Sequence, residues 1–225
     1  MLHLYCILPA GHAVPDGCVG LDAQQPFAIQ AGGLVVWATE HDSPVAPSVE
    51  AVRTHNALIA AAMDERVTPI PLRFGQVSSD RDAAAERITA EAETWSELLG
   101  RFAGHAEYGV RVMSDSPDAE QDVHTAKSES GTEYMASLAR KHARTTGRRT
   151  EGERIVETMA ARVGSLAGDT RVEYGSADGP LVTVAHLVAW TAADAYHAAM
   201  REVRETSGDA RFLLTGPWPP YSFVT

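Results

Sequence analysis

Short apolar runs of strand length alternate with longer amphipathic stretches along this chain, and this alternation limits the folds open to it. Leu2–Leu8 is a mostly apolar run, typical of a buried strand, and Pro9 and Gly11 end it. A later stretch repeats apolar residues at steps of four and three, typical of one helix face: Ile88, Ala92, Trp95, Leu99 and Phe102. The predicted order is β-β-β-α-β-α followed by β-αα-β-β-α-β, which indicates an α+β fold.

Polar residues mark where the helices of the first half begin. Ser48 is placed to cap a helix that ends near Asp64. Ser78–Asp80 is placed to cap a second, long helix that continues to about Phe102. Between these helices, Val67–Arg73 contains two prolines, which predicts an edge strand or a rigid strand-like segment.

A change in composition divides the sequence near its middle. Ser114–Lys127 is polar and acidic and contains Pro117, so it is the best candidate for a linker. We therefore expect an N-terminal α+β domain at 1–113 and a C-terminal domain at 114–225.

The second half fits the ferredoxin-like β-α-β-β-α-β plan with one elaboration. Gly147 separates two helical segments, Glu129–Thr146 and Thr150–Ala167, and helices joined by a short loop pack antiparallel. The predicted fold class is thus α+β, with two domains that contain ferredoxin-like elements. The second domain carries an inserted helical hairpin and an ordered C-terminal tail.

Composition narrows the classes of function. The 225 residues have a formal net charge of −11, which repels a free polyanion, so no nucleic-acid partner is expected. The two cysteines and the dispersed histidines predict no metal site, and no glycine-rich phosphate motif predicts a cofactor. No uncharged apolar run reaches the ~20 residues of a membrane span, so we expect a cytoplasmic protein without a membrane partner.

Two residues of the first half are candidates for a polar site. His55 lies mid-helix with no partner identifiable by spacing, which favours a half-exposed helical histidine over a catalytic one. Arg73 stands between Leu72 and Phe74 beside prolines and a glycine, where it would hold a carboxylate or backbone carbonyls in a structural role. An enzyme or small-molecule-binding protein with a site near His55 and Arg73 stays open as an alternative.

The one basic run, Arg140–Arg154, raises a second alternative. It would suit a nucleic-acid-binding regulatory module or an acidic protein partner. The run has no aromatic residues to stack bases, and the chain is acidic overall, which favours the solvated outer side of a helical hairpin.

The C-terminal tail combines stiffness with aromatic rings. Proline fixes φ and donates no backbone hydrogen bond, so Leu214–Thr225 is expected to be neither a helix nor a central strand. We expect an ordered flap that packs across both domains with Trp218 as its anchor; direct partner contact through Trp218, Tyr221 and Phe223 is the alternative.

Three motifs occur in a fixed order along the chain. They are PIPLRFGQV at Pro69–Val77, GTEYM at Gly131–Met135 and GPWPPYSF at Gly216–Phe223. Together with the long helix ending in Trp95–Phe102, they resemble the gas vesicle protein F/L family (GvpL/GvpF), with Met135 in place of the usual Leu. The resemblance covers nearly the whole chain.

The resemblance implies a non-enzymatic accessory or minor structural protein of gas vesicles, located in the cytoplasm or on the vesicle. Its implied partners are the small hydrophobic shell protein and other gas vesicle accessory proteins. We expect the partner to add to the sheet edge at Val67–Arg73 or to dock beside the aromatic tail. The candidates for partner binding or structure are Arg73, Phe74, His55, Trp218, Tyr221 and Phe223.

Overall fold

The computed structural model describes residues 1–64, 67–114, 131–176 and 179–224. The chain forms two compact units. The first contains Met1–Glu107 together with Pro217–Thr225, and the second contains Tyr108–Gly216. This division differs from the expected one in two ways. Residues 108–113 belong to the second unit, and Pro217–Thr225, most of the tail, belongs with the first. Nearly all of the expected linker Ser114–Lys127 lies outside the described residues.

The first unit is built on an antiparallel sheet whose order is β2-β3-β1-β4, with β5 also paired to β1. The strands are β1 (Leu2–Pro9), β2 (Phe27–Ala31), β3 (Leu34–Glu40), β4 (Ile70–Pro71) and β5 (Val77–Ser78). Strand β1 is central, which explains its mostly apolar sequence: every residue from Leu2 to Leu8 is buried. Gly32 and Gly33 turn the chain between β2 and β3 with φ of 58° and 82°, a region that favours glycine.

Three helices cover this sheet: α1 (Val49–Ala61), α2 (Arg81–Ala90) and α3 (Ala92–Phe102). The Ser48 hydroxyl caps α1 by accepting from the Ala51 N–H at 3.0 Å, and the Asp80 carboxylate caps α2. The core joins the sheet to α1 through Tyr5, Cys6, Leu8, Leu21, Val35, Trp37, Leu58 and Ile59. The predicted single helix up to Phe102 is wrong, because Glu91 leaves helical geometry (φ −113°, ψ 17°) and separates α2 from α3.

The second unit has the element order β-α-β-β-α-β and a four-stranded sheet of order β7-β8-β6-β9. Its elements are β6 (His105–Met113), α4 (Gly131–Val163), β7 (Ala167–Tyr174), β8 (Val182–Ala189), α5 (Ala193–Thr206) and β9 (Arg211–Trp218). The chain enters this unit within β6 and leaves it within β9. Two antiparallel sheets with helices confirm the α+β fold class; the ferredoxin-like description stays an interpretation of the element order.

The predicted helical hairpin is wrong. Helix α4 runs without interruption for 33 residues and passes through Gly147. A lone glycine costs a helix only about 1 kcal/mol relative to alanine, whereas a hairpin loop needs several residues that favour a turn. The second half of α4 buries Ile155, Met159 and Val163. Among the described residues, no helix has the length and apolar character needed to cross a membrane.

Candidate functional site

The segment after β4 is fixed to the central strand of the first unit. The Leu72 N–H donates to the Tyr5 carbonyl at 2.8 Å. The Arg73 carbonyl accepts from the Gln76 N–H at 3.1 Å and closes a turn. Gly75 occupies this turn with φ of 88°, which few other residues adopt. The backbone of the PLRFG motif is therefore held in place while the Arg73 side chain is exposed.

The outer edge of β4 is poorly suited to accept another strand. Ile70 pairs with Ile7, and the Leu72 N–H points to β1. Because backbone groups alternate in direction along a strand, those of residues 69 and 71 point away from β1. Pro69 and Pro71 occupy these two positions and have no N–H to donate. A partner strand added at Val67–Arg73, as expected from the sequence, would lack the hydrogen bonds that residues 69 and 71 would otherwise donate.

A buried pair of histidines is hydrogen-bonded to the backbone of the PLRFG segment. The ring of His55 on α1 is 1% exposed, and its Nε2 lies 3.0 Å from the Leu72 carbonyl. The prediction of a half-exposed helical histidine is therefore wrong. The partner of His55 is His3 on β1, whose Nε2 lies 3.0 Å from the His55 Nδ1. Because 52 residues separate the two histidines, no spacing rule could have paired them.

Hydrogen-bond directions fix the tautomers of this pair. A carbonyl only accepts, so His55 donates from Nε2 to Leu72 and its Nδ1 must accept from the His3 Nε2–H. The remaining nitrogen of His3, Nδ1, is a buried acceptor without a partner among the described residues. Burial lowers the pKa of His3 to about 4, and burial also lowers the pKa of His55. Both rings are thus neutral and hold the backbone rather than a substrate.

A second series of hydrogen-bonded side chains includes an Asp, a His and a hydroxyl group, the residue types of a hydrolase triad. The His41 Nδ1 lies 3.2 Å from the Asp22 carboxylate, and its Nε2 lies 2.8 Å from the Thr39 hydroxyl. The Leu21 N–H donates to the Tyr5 hydroxyl, which in turn lies 2.8 Å from the Thr39 hydroxyl. Thr39 is 0% exposed, so a substrate has no access to its hydroxyl. We interpret these hydrogen bonds as a structural connection between β1, β3 and the segment that contains Asp22.

The C-terminal tail returns to the first unit and is fixed by polar contacts. The Tyr221 hydroxyl donates to the Asn56 side-chain oxygen at 2.9 Å. The Ser222 N–H and hydroxyl donate to the two Glu107 carboxylate oxygens at 2.8 and 2.7 Å. Burial raises the pKa of Glu107 even though these two hydrogen bonds oppose the shift. The tail is therefore an ordered part of the N-terminal unit.

The aromatic residues of the tail have different environments. Phe223 is 1% exposed, whereas Trp218 is 45% exposed. The prediction of Trp218 as the anchor is wrong, since Phe223 supplies the buried ring. Trp218 sits within β9, after Gly216, whose φ of 121° is a glycine conformation. Proline rigidity and aromatic content alone did not distinguish the buried ring from the exposed one.

A groove of about 350 Å³ lies where the PLRFG segment, helices α2 and α3 and the tail meet. Its size is near the lower end of about 300–1,000 Å³ for ligand pockets, so it accommodates a few side chains rather than a folded domain. Two residues of the expected candidate set, Arg73 and Tyr221, line it. Helices α2 and α3, the residue between them and the chain end contribute five lining residues that were not candidates: Arg87, Ile88, Glu91, Trp95 and Val224.

The other candidates lie behind or outside this groove. Phe74 packs beside the histidine pair, with its ring 5.1 Å from His3 and 5.5 Å from His55. Neither His55 nor Phe74 lines the groove, and Trp218 also lies outside it. Within the part of the chain that the structure describes, no group of three or more side chains could hold a metal ion.

Members of the basic run on α4 are engaged within the second unit. Arg148 donates to the Gly179 carbonyl at 2.6 Å, next to the β7–β8 connection. The Arg149 guanidinium stacks 3.7 Å above the Tyr174 ring and pairs with Glu153 at 2.6 Å. The side chains of Arg140 and Lys141 are outside the described part. These contacts favour a structural role for Arg148 and Arg149 over phosphate binding.

The known proteins that this chain resembles over nearly its whole length are gas vesicle proteins. A 25% identical relative, gas vesicle protein F of Streptomyces sp., aligns over 99% of this chain and 98% of its own length. Gas vesicle protein L1 of Halobacterium salinarum is 27% identical over 99% of this chain and 89% of its own length. The crystal structure of GvpF from an Anabaena species superposes with a TM-score of 0.79 at 20% identity, covering 100% of this chain and 95% of that one.

A second crystal structure, GvpF from Microcystis aeruginosa, gives a TM-score of 0.75 at 20% identity and covers 100% of this chain and 98% of that one. At this identity the two structures establish the fold. The sequence model of the family described as gas vesicle synthesis protein GvpL/GvpF matches residues 1–225. With the motifs, the fold and this match in agreement, the chain belongs to the GvpL/GvpF family of gas vesicle proteins.

Proposed function

We propose that this protein binds the small hydrophobic shell protein of gas vesicles through the groove of its N-terminal unit and thereby assists vesicle assembly. Membership in the GvpL/GvpF family supports a role in gas vesicle assembly and association with other gas vesicle proteins. The finer proposal rests on one observation. Three segments that carry the family resemblance, namely the PLRFG motif, the helix containing Trp95 and the tail, all contribute residues to one groove.

The chemistry of the groove suits a transient hold on an apolar subunit. A shell subunit that exposes a large apolar surface aggregates unless part of that surface is covered. The groove offers apolar contacts from Leu72, Ile88 and Val224, while its rim carries charged groups. A site of this size buries a short segment, which gives moderate affinity and allows the subunit to be released into the growing shell.

Filling the groove tests this proposal. Gln76 is exposed at the rim, and its side chain has no hydrogen bond within the described residues. We expect Gln76→Trp to occupy the groove and to lower the amount of shell protein that co-purifies after co-expression by about tenfold, which corresponds to the loss of about 1.4 kcal/mol of binding free energy.

Gln30→Trp is the matched control, because Gln30 is an exposed residue of β2 outside the groove. It should leave co-purification unchanged. Far-UV circular dichroism and thermal unfolding of both variants establish that each is folded. Equal co-purification by wild type and Gln76→Trp would contradict the groove as the binding site, and no co-purification by wild type would contradict shell-protein binding itself.

A further inference from the structure

The groove is locally cationic within an acidic chain. Two guanidinium groups, Arg73 and Arg87, and one carboxylate, Glu91, line it, although the whole chain has a formal net charge of −11. The Arg87 side chain donates to the Val77 carbonyl at 3.2 Å and is thereby held against the chain. Arg73 is exposed, and within the described residues its guanidinium has no hydrogen bond or ion pair. One cationic group at the rim is therefore available to a partner.

The walls next to Arg73 are apolar. Leu72, Ile88 and Val224 present aliphatic surface, and Trp95 adds an aromatic ring. The Trp95 Nε1–H is buried without a hydrogen-bond partner in the described part of the chain. Because this N–H is buried, Trp95 contributes ring surface and no hydrogen bond to a partner.

Backbone pairing is a weak means of recognition at this site, because the outer edge of β4 lacks N–H donors. Pro69 and Pro71 leave the outer edge of β4 without N–H donors, and the Leu72 carbonyl already accepts from His55. Side chains are therefore the main means by which a partner can be recognised here. The combination of one free guanidinium with apolar walls selects a carboxylate that lies beside aliphatic side chains.

We propose that the groove recognises a short segment of the shell protein in which an Asp or Glu carboxylate pairs with Arg73 while neighbouring aliphatic side chains enter between Leu72, Ile88 and Val224. This inference rests on the proposed function and names the chemistry of the segment that is bound. The planar guanidinium forms two parallel hydrogen bonds with a carboxylate, which sets the orientation of the segment as well as its affinity.

Charge reversal at Arg73 tests the pairing. We expect Arg73→Glu to lower co-purification of the co-expressed shell protein by about tenfold, and Arg73→Lys to lower it less, because lysine keeps the charge but not the paired geometry. Arg53→Glu makes the same charge change on exposed α1 of the same unit, outside the groove, and should have no effect. Since the Arg73 guanidinium has no hydrogen bond or ion pair with another described residue, Arg73→Glu should unfold at the same temperature as wild type.

A charge swap identifies the carboxylate. Each Asp and Glu of the shell protein is replaced by Lys in turn and co-expressed with the Arg73→Glu variant. Restored co-purification with one such variant, and not with the others, supports the pairing. Unchanged binding by Arg73→Glu, or a loss that no swap restores, overturns it.

The outcomes separate this inference from the proposed function. Loss of binding by Gln76→Trp together with normal binding by Arg73→Glu would keep the groove as the shell-protein site and reject the carboxylate. Loss of binding by Arg73→Glu with normal binding by Gln76→Trp would place the carboxylate outside the groove and reject the inference as stated. Failure of the wild-type protein to capture the shell protein would reject both.

Discussion

At the residue scale, the His3–His55 pair is stable in one protonation state only. A proton on the His55 Nδ1 would face the His3 Nε2–H, and a proton on the His3 Nδ1 would be buried without an acceptor. The titratable neighbours are Tyr5 and His41, the latter paired with Asp22. The carbonyl of Leu72, and with it the groove wall, is held by a pair that must stay neutral.

This arrangement predicts acid sensitivity of the fold. The pKa of His3 is 6.5 in the absence of structure and about 4 in the folded chain, so the unfolded state binds the proton first as the pH falls. The contribution of His3 to the free energy of unfolding should be largest above pH 6.5 and should decrease towards pH 4. His3 contributes a loss of about 3 kcal/mol over this window, at about 1.4 kcal/mol per pH unit.

Urea unfolding at several pH values measures this effect. His3→Gln should reduce the dependence on pH, because it removes the group whose pKa changes on folding. His142→Gln replaces an exposed histidine of α4 and should leave the slope unchanged. An identical slope for wild type and His3→Gln between pH 6.5 and pH 4 would contradict the role given to His3.

At the scale of elements, a helix boundary predicted from glycine was the main error. Gly147 reads as a hairpin turn in sequence, but the segment contains no proline and no cluster of turn-forming residues. Helix α4 therefore continues through it, and its buried residues among the described ones include Gly152 and Ile155 in the second half. The break at Glu91 shows the reverse error, since no glycine or proline marks it in the sequence.

Substitution of Gly147 distinguishes a continuous helix from a hairpin. The position is exposed, and an added Cβ would meet no atom within 4 Å. We expect Gly147→Ala to raise the free energy of unfolding by about 0.5–1 kcal/mol, because alanine loses less backbone entropy in a helix. A turn with positive φ would instead be destabilised by alanine.

The matched control lies on the same helix. A Cβ at buried Gly152 would meet the Leu181 carbonyl oxygen at 3.3 Å and the Tyr174 ring at 3.4 Å. In urea unfolding, Gly152→Ala should therefore raise the free energy of unfolding less than Gly147→Ala does, or should lower it. Destabilisation by Gly147→Ala would argue for a turn at that position.

At the scale of the whole molecule, the two ends of the chain belong to one unit. Strand β1 is central to the first sheet, and the last residues pack on the same unit after the chain has formed the second. The contacts of the tail span more than a hundred residues, from Ser222 to Glu107 and from Tyr221 to Asn56. The final segment is thus part of the N-terminal fold and of its groove.

Two aromatic substitutions measure what the tail contributes. Phe223→Ala should lower the free energy of unfolding by about 3–5 kcal/mol, the usual cost of removing a buried phenylalanine ring. Trp218→Ala should cost less, because its ring is nearly half exposed. Chemical denaturation of both variants makes the comparison, and a larger loss for Trp218→Ala would contradict the assignment of Phe223 as the anchor.

The sequence by itself determined the α+β class, the buried character of β1, the caps at Ser48 and Asp80 and the family, because these depend on local periodicity and on contiguous motifs. Tertiary structure alone decided which residues meet. The His3–His55 pair, the anchoring by Phe223 and the position of Trp95 in the groove depend on contacts between segments far apart in sequence. No local pattern encodes such contacts, because the shared core of the fold, and not the spacing of residues, brings these side chains together.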